Sequence, residues 1–292
     1  MTALPDILVL PLVASLLAAA ASGAVGTLTL VRRSTYVAGA VSHAVLAGLG
    51  LAQYLAVVHG AKGFSPTLGA LLAAVAAALY IAFAQFRGAQ RADAALGATW
   101  VVGMAVGIVF INATPGYQGD LMNFLFGSVL LVSGADLVAM AALDAAIAVA
   151  LVLFWRGIVS ICFDSQLAAL RGVDTAFFEV VFSLVTAVAV VVLVKVVGIV
   201  LAIALLTLPA MAASHLARRL VPMMAVGAAF AFAAMACGLA ASWRADIQPS
   251  APAVLFAAAF AAAASFANAA TGRGRRRRRA RRCRCGRACG PG

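Results

Sequence analysis

Long apolar runs follow one another along almost the whole chain, separated by short polar stretches. They fall at 7–31, 35–58, 66–86, 94–113, 137–155, 176–194, 196–217, 221–241 and 252–270. Each has the length, about 20 residues, that a helix needs to cross roughly 30 Å of hydrocarbon. The pattern predicts an all-α fold, a polytopic transmembrane helical bundle of about nine spans. Between the fourth and fifth runs, 121–132 is apolar but too short to cross, and it reads as a re-entrant or interfacial segment after the loop at 112–120. No Lys or Arg precedes Arg32, and the first run exceeds a signal-peptide core, so it is expected to be a retained span.

The basic residues give this array a direction. Arg32 and Arg33, Arg87 and Arg91, Arg156 and Arg171, Arg218 and Arg219, and the C-terminal tail fall on one side of the spans, against Lys62, Lys195 and Arg244 on the other. Short basic loops stay in the cytoplasm. The expected arrangement has its N-terminus outside and its C-terminus inside, as a multi-pass protein of the cell (inner) membrane.

Composition agrees with the runs: 65% of residues are hydrophobic and 10% charged, where soluble proteins have about 45–50% and 25%. A chain of this length cannot bury so much apolar surface in water, so the bilayer is its solvent. The formal charge of +12 suggests a nucleic-acid partner only until it is located. Ten of the 19 arginines lie between Arg273 and Arg287, which leaves the body close to neutral. Two regions are therefore expected: a transmembrane domain over 1–271 and a disordered Arg/Cys/Gly-rich cytoplasmic tail over 272–292. A basic run beside a final span suits anionic membrane lipids and implies no nucleic acid. Cys283, Cys285 and Cys289 have a spacing that could hold a metal, but no histidine accompanies them in this compositionally biased segment.

Three residues inside the runs could carry chemistry. His43 lies roughly 15 Å into the second span from Arg33, counted at 1.5 Å per residue. An ionisable residue at that depth is a functional candidate, and neutral imidazole is a common ligand of transition metals. The alternative is a histidine that only bonds a neighbouring helix, and depth alone does not choose between them. Asp144, about 12 Å along the fifth span from Asp136, could offer an oxygen ligand or a proton site, or equally a bond to a neighbour. Pro209 removes a backbone donor and frees the carbonyl of Leu205, so a kink or local opening is expected near Thr207, where it could line a path. Ala40, Ala44 and Gly48, at four-residue spacing, favour close helix packing.

The loop from Arg156 to Thr175 contains a further element. Asp164 suits an N-cap and Gly172 a C-cap, and a two-turn helix centred on Ala168 fits between them, showing Leu167 and Leu170. Such a helix could dock in a partner's groove or lie on the membrane surface. No P-loop is present: Lys62 is followed by Gly63 and Lys195 by Val196, not by Ser or Thr. If ATP drives transport, the ATPase is another chain, and this chain is not itself an enzyme.

Four segments together resemble the zinc/manganese-type family of ABC importer permeases: 32–34 leading into 42–48, then 120–127, 164–172, and 195–198 through 205–210. The resemblance covers nearly the whole chain. It implies a homodimeric permease that moves a divalent transition metal, zinc foremost, with manganese or iron as alternatives, into the cytoplasm. No cofactor is held permanently. Its expected partners are an extracytoplasmic metal-binding protein and two cytoplasmic ABC ATPase subunits, and Asp164–Gly172 would be the coupling helix. By similarity, His43 matches the histidine of a Gly-Asp-x-Leu-Ser-His motif that lines the translocation path. The motif's aspartate is replaced here by Gly39. Two His43 side chains from paired subunits would then supply nitrogen ligands, which leans toward zinc. A secondary transporter or channel acting alone is the competing class, but it would normally carry more intramembrane charge or an inverted repeat.

Overall fold

The computed structural model describes residues 4–60, 65–115, 127, 132–245 and 247–284, with side chains withheld at 4–8, 89 and 270–284. The described helices are α1 (Leu4–Val31), α2 (Thr35–Val58), α3 (Pro66–Phe86), α4 (Ala89–Ala113), α5 (Gly134–Phe163), α6 (Ser165–Leu170), α7 (Thr175–Leu216), α8 (Leu220–Ala245) and α9 (Ser250–Arg284). Eight of them are long and apolar enough to cross a membrane. The chain is a multi-pass helical membrane protein. The re-entrant reading of 121–132 lies outside the described residues except at Gly127 and Val132.

Two expected boundaries move. Helix α5 runs on to Phe163, so Arg156 lies on a helix and not in a loop; its side chain can reach a polar surface from there. Helix α9 continues beyond its apolar part to Arg284, where an irregular tail was expected from residue 272. Arginine and alanine are both good helix formers, and nothing in 273–284 breaks the run except glycine at 274.

The sixth and seventh runs are joined without a loop in α7, but the chain reverses between them. At Gly198 the backbone leaves helical geometry (φ 77°, ψ 172°). Near one end of α1, Arg32 pairs with Glu179 of α7, while deeper in α1 the Ser22 hydroxyl donates to the Leu205 carbonyl at 2.6 Å. Ser22 and Arg32 are about 15 Å apart along the chain, whereas a straight helix would hold Glu179 and Leu205 about 39 Å apart. Both contacts can form only if α7 folds back on itself, and Gly198 is where it does. The conformation there is essentially restricted to glycine. Beside the reversal, Lys195 pairs with Asp136 at 2.5 Å, and Asp136 also closes the capping box of α5 with Ser133. Gly127 packs directly on the Val197–Gly198 backbone, and its carbonyl accepts from Gln248 Nε2 at 2.8 Å.

The helices sort into two groups around this folded α7. Helices α2, α3 and α4 pack on one another, while α1, α5, α8 and α9 surround α7 from the other side; α1 and α2 barely touch beyond the turn that joins them. Small residues set the approach within the first group. A Cβ on Gly103 would lie 2.8 Å from the Ala44 backbone, and one on Gly50 would lie 2.9 Å from the Gly107 carbonyl. Gly48 and Gly69 likewise bring α2 against α3. Residues 39, 44 and 50 of α2 meet 100, 103 and 107 of α4 in order, so these helices run parallel with α3 between them in sequence.

Candidate functional site

His43 sits on the face of α2 that meets α4. Its Nδ1 lies 2.9 Å from the Gly39 carbonyl one turn earlier. A carbonyl only accepts, so Nδ1 carries the proton of the neutral ring and the lone pair is left on Nε2. The imidazole stacks on the indole of Trp100, with centroids 4.6 Å apart and planes 25° from parallel. The same indole fills the space over Gly39, where a Cβ would stand 2.7 Å from its ring. Backbone and indole thus hold the ring in one orientation, with one nitrogen able to coordinate a cation.

Asp144 is elsewhere. Both its carboxylate oxygens are buried and without a hydrogen-bond partner. It opens on a cleft of about 610 Å³ formed by α1, α5 and α8 and lined by Ala21, Ile147, Leu151, Trp155 and Met224. Apart from the soft thioether of Met224, that lining offers no second ligand. Among the described residues, no three of His, Cys, Asp and Glu come together as a metal cage.

Pro209 lies at a third place, buried in the returning half of α7. As its missing N–H requires, the Leu205 carbonyl is free of its helical donor, and the Ser22 hydroxyl of α1 takes that donor's place. The opening expected near Thr207 is not formed: the backbone stays helical there, and Thr207 Oγ1 donates to the carbonyl of Ile203 at 3.0 Å. A proline break can be closed by a neighbouring hydroxyl, and here it serves as a joint between α1 and α7. The structure therefore does not bring His43, Asp144 and Pro209 together.

The short helix α6 forms as its sequence predicts. Asp164 Oδ1 accepts from the N–H groups of Gln166 and Leu167, both at 3.0 Å. Gly172 (φ 79°) ends the helix. Its N–H bonds the Ala169 carbonyl, and that of Val173 bonds the Ala168 carbonyl, a Schellman closure. Ala168 is buried, while Leu167 is 45% and Leu170 85% exposed. The two leucines are thus free to meet another surface. Behind α6, Phe154 of α5 meets Phe177 and Phe178 of α7 edge-on, with centroids 5.7 and 6.2 Å apart. Gly157 of α5 accepts the Phe178 ring at close range.

Three contributors were not singled out from the sequence. Trp100 is one aromatic among many in apolar runs, and only the Gly39 gap hints at a large neighbour. Ser22 is a lone hydroxyl in an apolar run, and the carbonyl freed by Pro209 does not say which donor meets it. Arg32 counted as a topological marker and as part of the 32–34 segment of the resemblance, whereas its guanidinium pairs with Glu179 and lies 4.7 Å from the Phe182 ring centroid.

Comparison with known proteins bears on this arrangement. The model of the ABC 3 transport family matches residues 5–268. An uncharacterized membrane protein of Synechocystis sp. is 33% identical over 246 residues, 84% of this chain and 85% of that protein. The manganese transport system membrane protein MntC of Halalkalibacterium halodurans is 30% identical over 246 residues, covering 84% and 82%. Among solved structures, PsaBC from Streptococcus pneumoniae in complex with Fab superposes with a TM-score of 0.78 at 27% identity, over 88% of this chain and 90% of that one.

Proposed function

This chain belongs to the ABC 3 transport family, and from that premise we propose that it is the membrane-spanning permease of an ATP-driven importer that carries a divalent transition metal, zinc, into the cytoplasm. The observation that carries the reading is His43, an intramembrane imidazole fixed by the Gly39 carbonyl and the Trp100 ring with Nε2 left to coordinate. A passing ion needs its lost hydration replaced inside the bundle, and neutral imidazole does so without adding charge. One chain offers one such nitrogen, so two permeases pair and each contributes a His43. Manganese, named for the Halalkalibacterium relative, suits oxygen ligands; a nitrogen pair without a neighbouring carboxylate suits zinc.

The rest of the assembly follows. The end of the bundle with Arg32, Arg91, Arg171 and Arg219 faces the cytoplasm. There α6 presents Leu167 and Leu170 to an ABC ATPase subunit as the coupling helix, held by Asp164, Ala168 and Gly172. A metal-binding protein delivers the ion at the opposite end. The test is uptake of radiolabelled zinc by vesicles containing the permease, its ATPase and its binding protein. Uptake is expected to require ATP and to fall at least about tenfold in His43→Ala, since even outer-shell partners of a metal are worth that much, with the ATPase still assembled and active. Uptake that survives ATP depletion, or wild-type rates in His43→Ala, overturns the reading.

A further inference from the structure

The Arg32–Glu179 pair joins the two helix groups at one point. Arg32 occupies the turn that ends α1 and begins α2, the helix that carries His43. Glu179 stands on the opening turns of α7, just beyond α6. Both side chains are largely buried, 14% and 11% exposed, and Phe182, one turn after Glu179, closes over the guanidinium. Among the described residues only one other ion pair occurs, Lys195–Asp136 at the opposite end of the bundle.

On the α7 side, this pair is built into a firm block. Four residues, 171–174, connect α6 to α7; Val173 is bonded back to Ala168, and Asp174 Oδ1 caps Phe177 at 3.1 Å. The phenylalanine cluster fastens that start of α7 to the end of α5. Displacement of α6 must therefore displace Glu179. On the other side, α2 touches α1 hardly at all beyond the turn but is packed along its length on α3 and α4. Helices α2 and α3 also pack on α7, and the base of the α2–α4 group is tied by a charge to the block that holds α6.

We propose that Arg32 and Glu179 are positioning residues that transmit movement of α6 to α2 and so to His43. The proposal rests on α6 being the ATPase-docking helix. A buried pair loses stability when one partner is removed, because the other charge is left uncompensated, whereas replacing both with apolar residues is often tolerated. That difference separates transmission from mere packing.

The experiment uses the assembled complex with its ATPase, spin labels at Tyr36→Cys on α2 and Val221→Cys on α8, both exposed positions, and the five native cysteines replaced by serine. The label distance is measured with and without ATP, beside metal-stimulated ATP hydrolysis. The unsubstituted pair and the reversed pair Arg32→Glu/Glu179→Arg are expected to show an ATP-driven distance change. The apolar pair Arg32→Met/Glu179→Met is expected to assemble, lose that change and lose about tenfold of the stimulation, a usual size for coupling between sites. Glu179→Gln, which keeps a hydrogen-bond acceptor, serves if the apolar pair does not assemble, and is expected to diminish the change. An apolar or Gln variant that moves and couples like the parent overturns the proposal, as does a reversed pair that assembles without recovering either. A parent complex that shows the ATP-driven change but carries no zinc overturns the cargo reading alone.

Discussion

At the residue scale, the meeting of His43, Gly39 and Trp100 shows how one small residue fixes its neighbours. Glycine at 39 leaves room for the indole, and the indole holds the imidazole flat against it. Gly39→Asp alone should therefore overpack the α2–α4 contact and cost about 1–3 kcal/mol, read as a lower midpoint in thermal unfolding of the detergent-solubilised protein. Adding Trp100→Ala makes room for the new carboxylate beside His43, and the double variant is expected to regain stability and to accept manganese better than the parent. A Gly39→Asp variant as stable as the parent would show that the indole yields freely. The place of His43 along α2 was legible from the sequence because counting from Arg33 at the helix rise is enough to give it. Its partner was not, because ring stacking depends on which helix face meets which, and apolar runs with little periodicity do not declare their faces.

Elements were legible in proportion to how much their boundaries owe to polarity. Helix α6 was readable residue by residue, since Asp164 and Gly172 act locally through caps that leave a sequence signature. The extension of α5 to Phe163 was missed because Arg156 looks like a boundary, yet a long charged side chain can sit on a helix that passes the membrane edge. The α1–α7 joint lies between these cases. Pro209 announced an orphaned carbonyl, and the fold supplied Ser22 from a distant segment. Ser22→Ala should cost about 1 kcal/mol, the scale of a hydrogen bond between membrane helices. In a Pro209→Ala background the same change should cost almost nothing, because the substituted residue regains the N–H that bonds the Leu205 carbonyl. A double-mutant cycle on thermal stability measures this, and additive effects would mean that the Ser22 contribution is independent of the carbonyl freed by Pro209.

For the whole molecule, a bundle of many membrane-crossing helices was legible from run lengths, because hydrocarbon thickness sets a minimum that apolar stretches either meet or fail; the described residues give eight such helices, with the sixth and seventh runs joined in the 42-residue α7. Reporters fused after Arg91 and after Arg219 are expected to score cytoplasmic, and one fused near Pro249 external. An external score at Arg219 would require that α7 pass only once. The grouping of α2–α4 apart from the other helices around α7 was not legible, because contacts between small residues look alike along every run.

The reversal within α7 also bears on how the chain is made. No polar loop separates its two passes, and Lys195 is the single charge between Glu179 and Arg218. Only the Lys195 side chain therefore has to be carried across the bilayer at this point, and the two halves can enter together as a hairpin. Because they add an even number of crossings, a nascent chain in which this hairpin stalls still delivers α8 and α9 in the same orientation as a correct one. Such a molecule would have properly oriented ends and a missing centre. Any surveillance that recognises orphan loops on the wrong side would pass it, leaving the exposed small-residue faces of α1 and α3, deprived of α7, as the mark by which the error could be recognised.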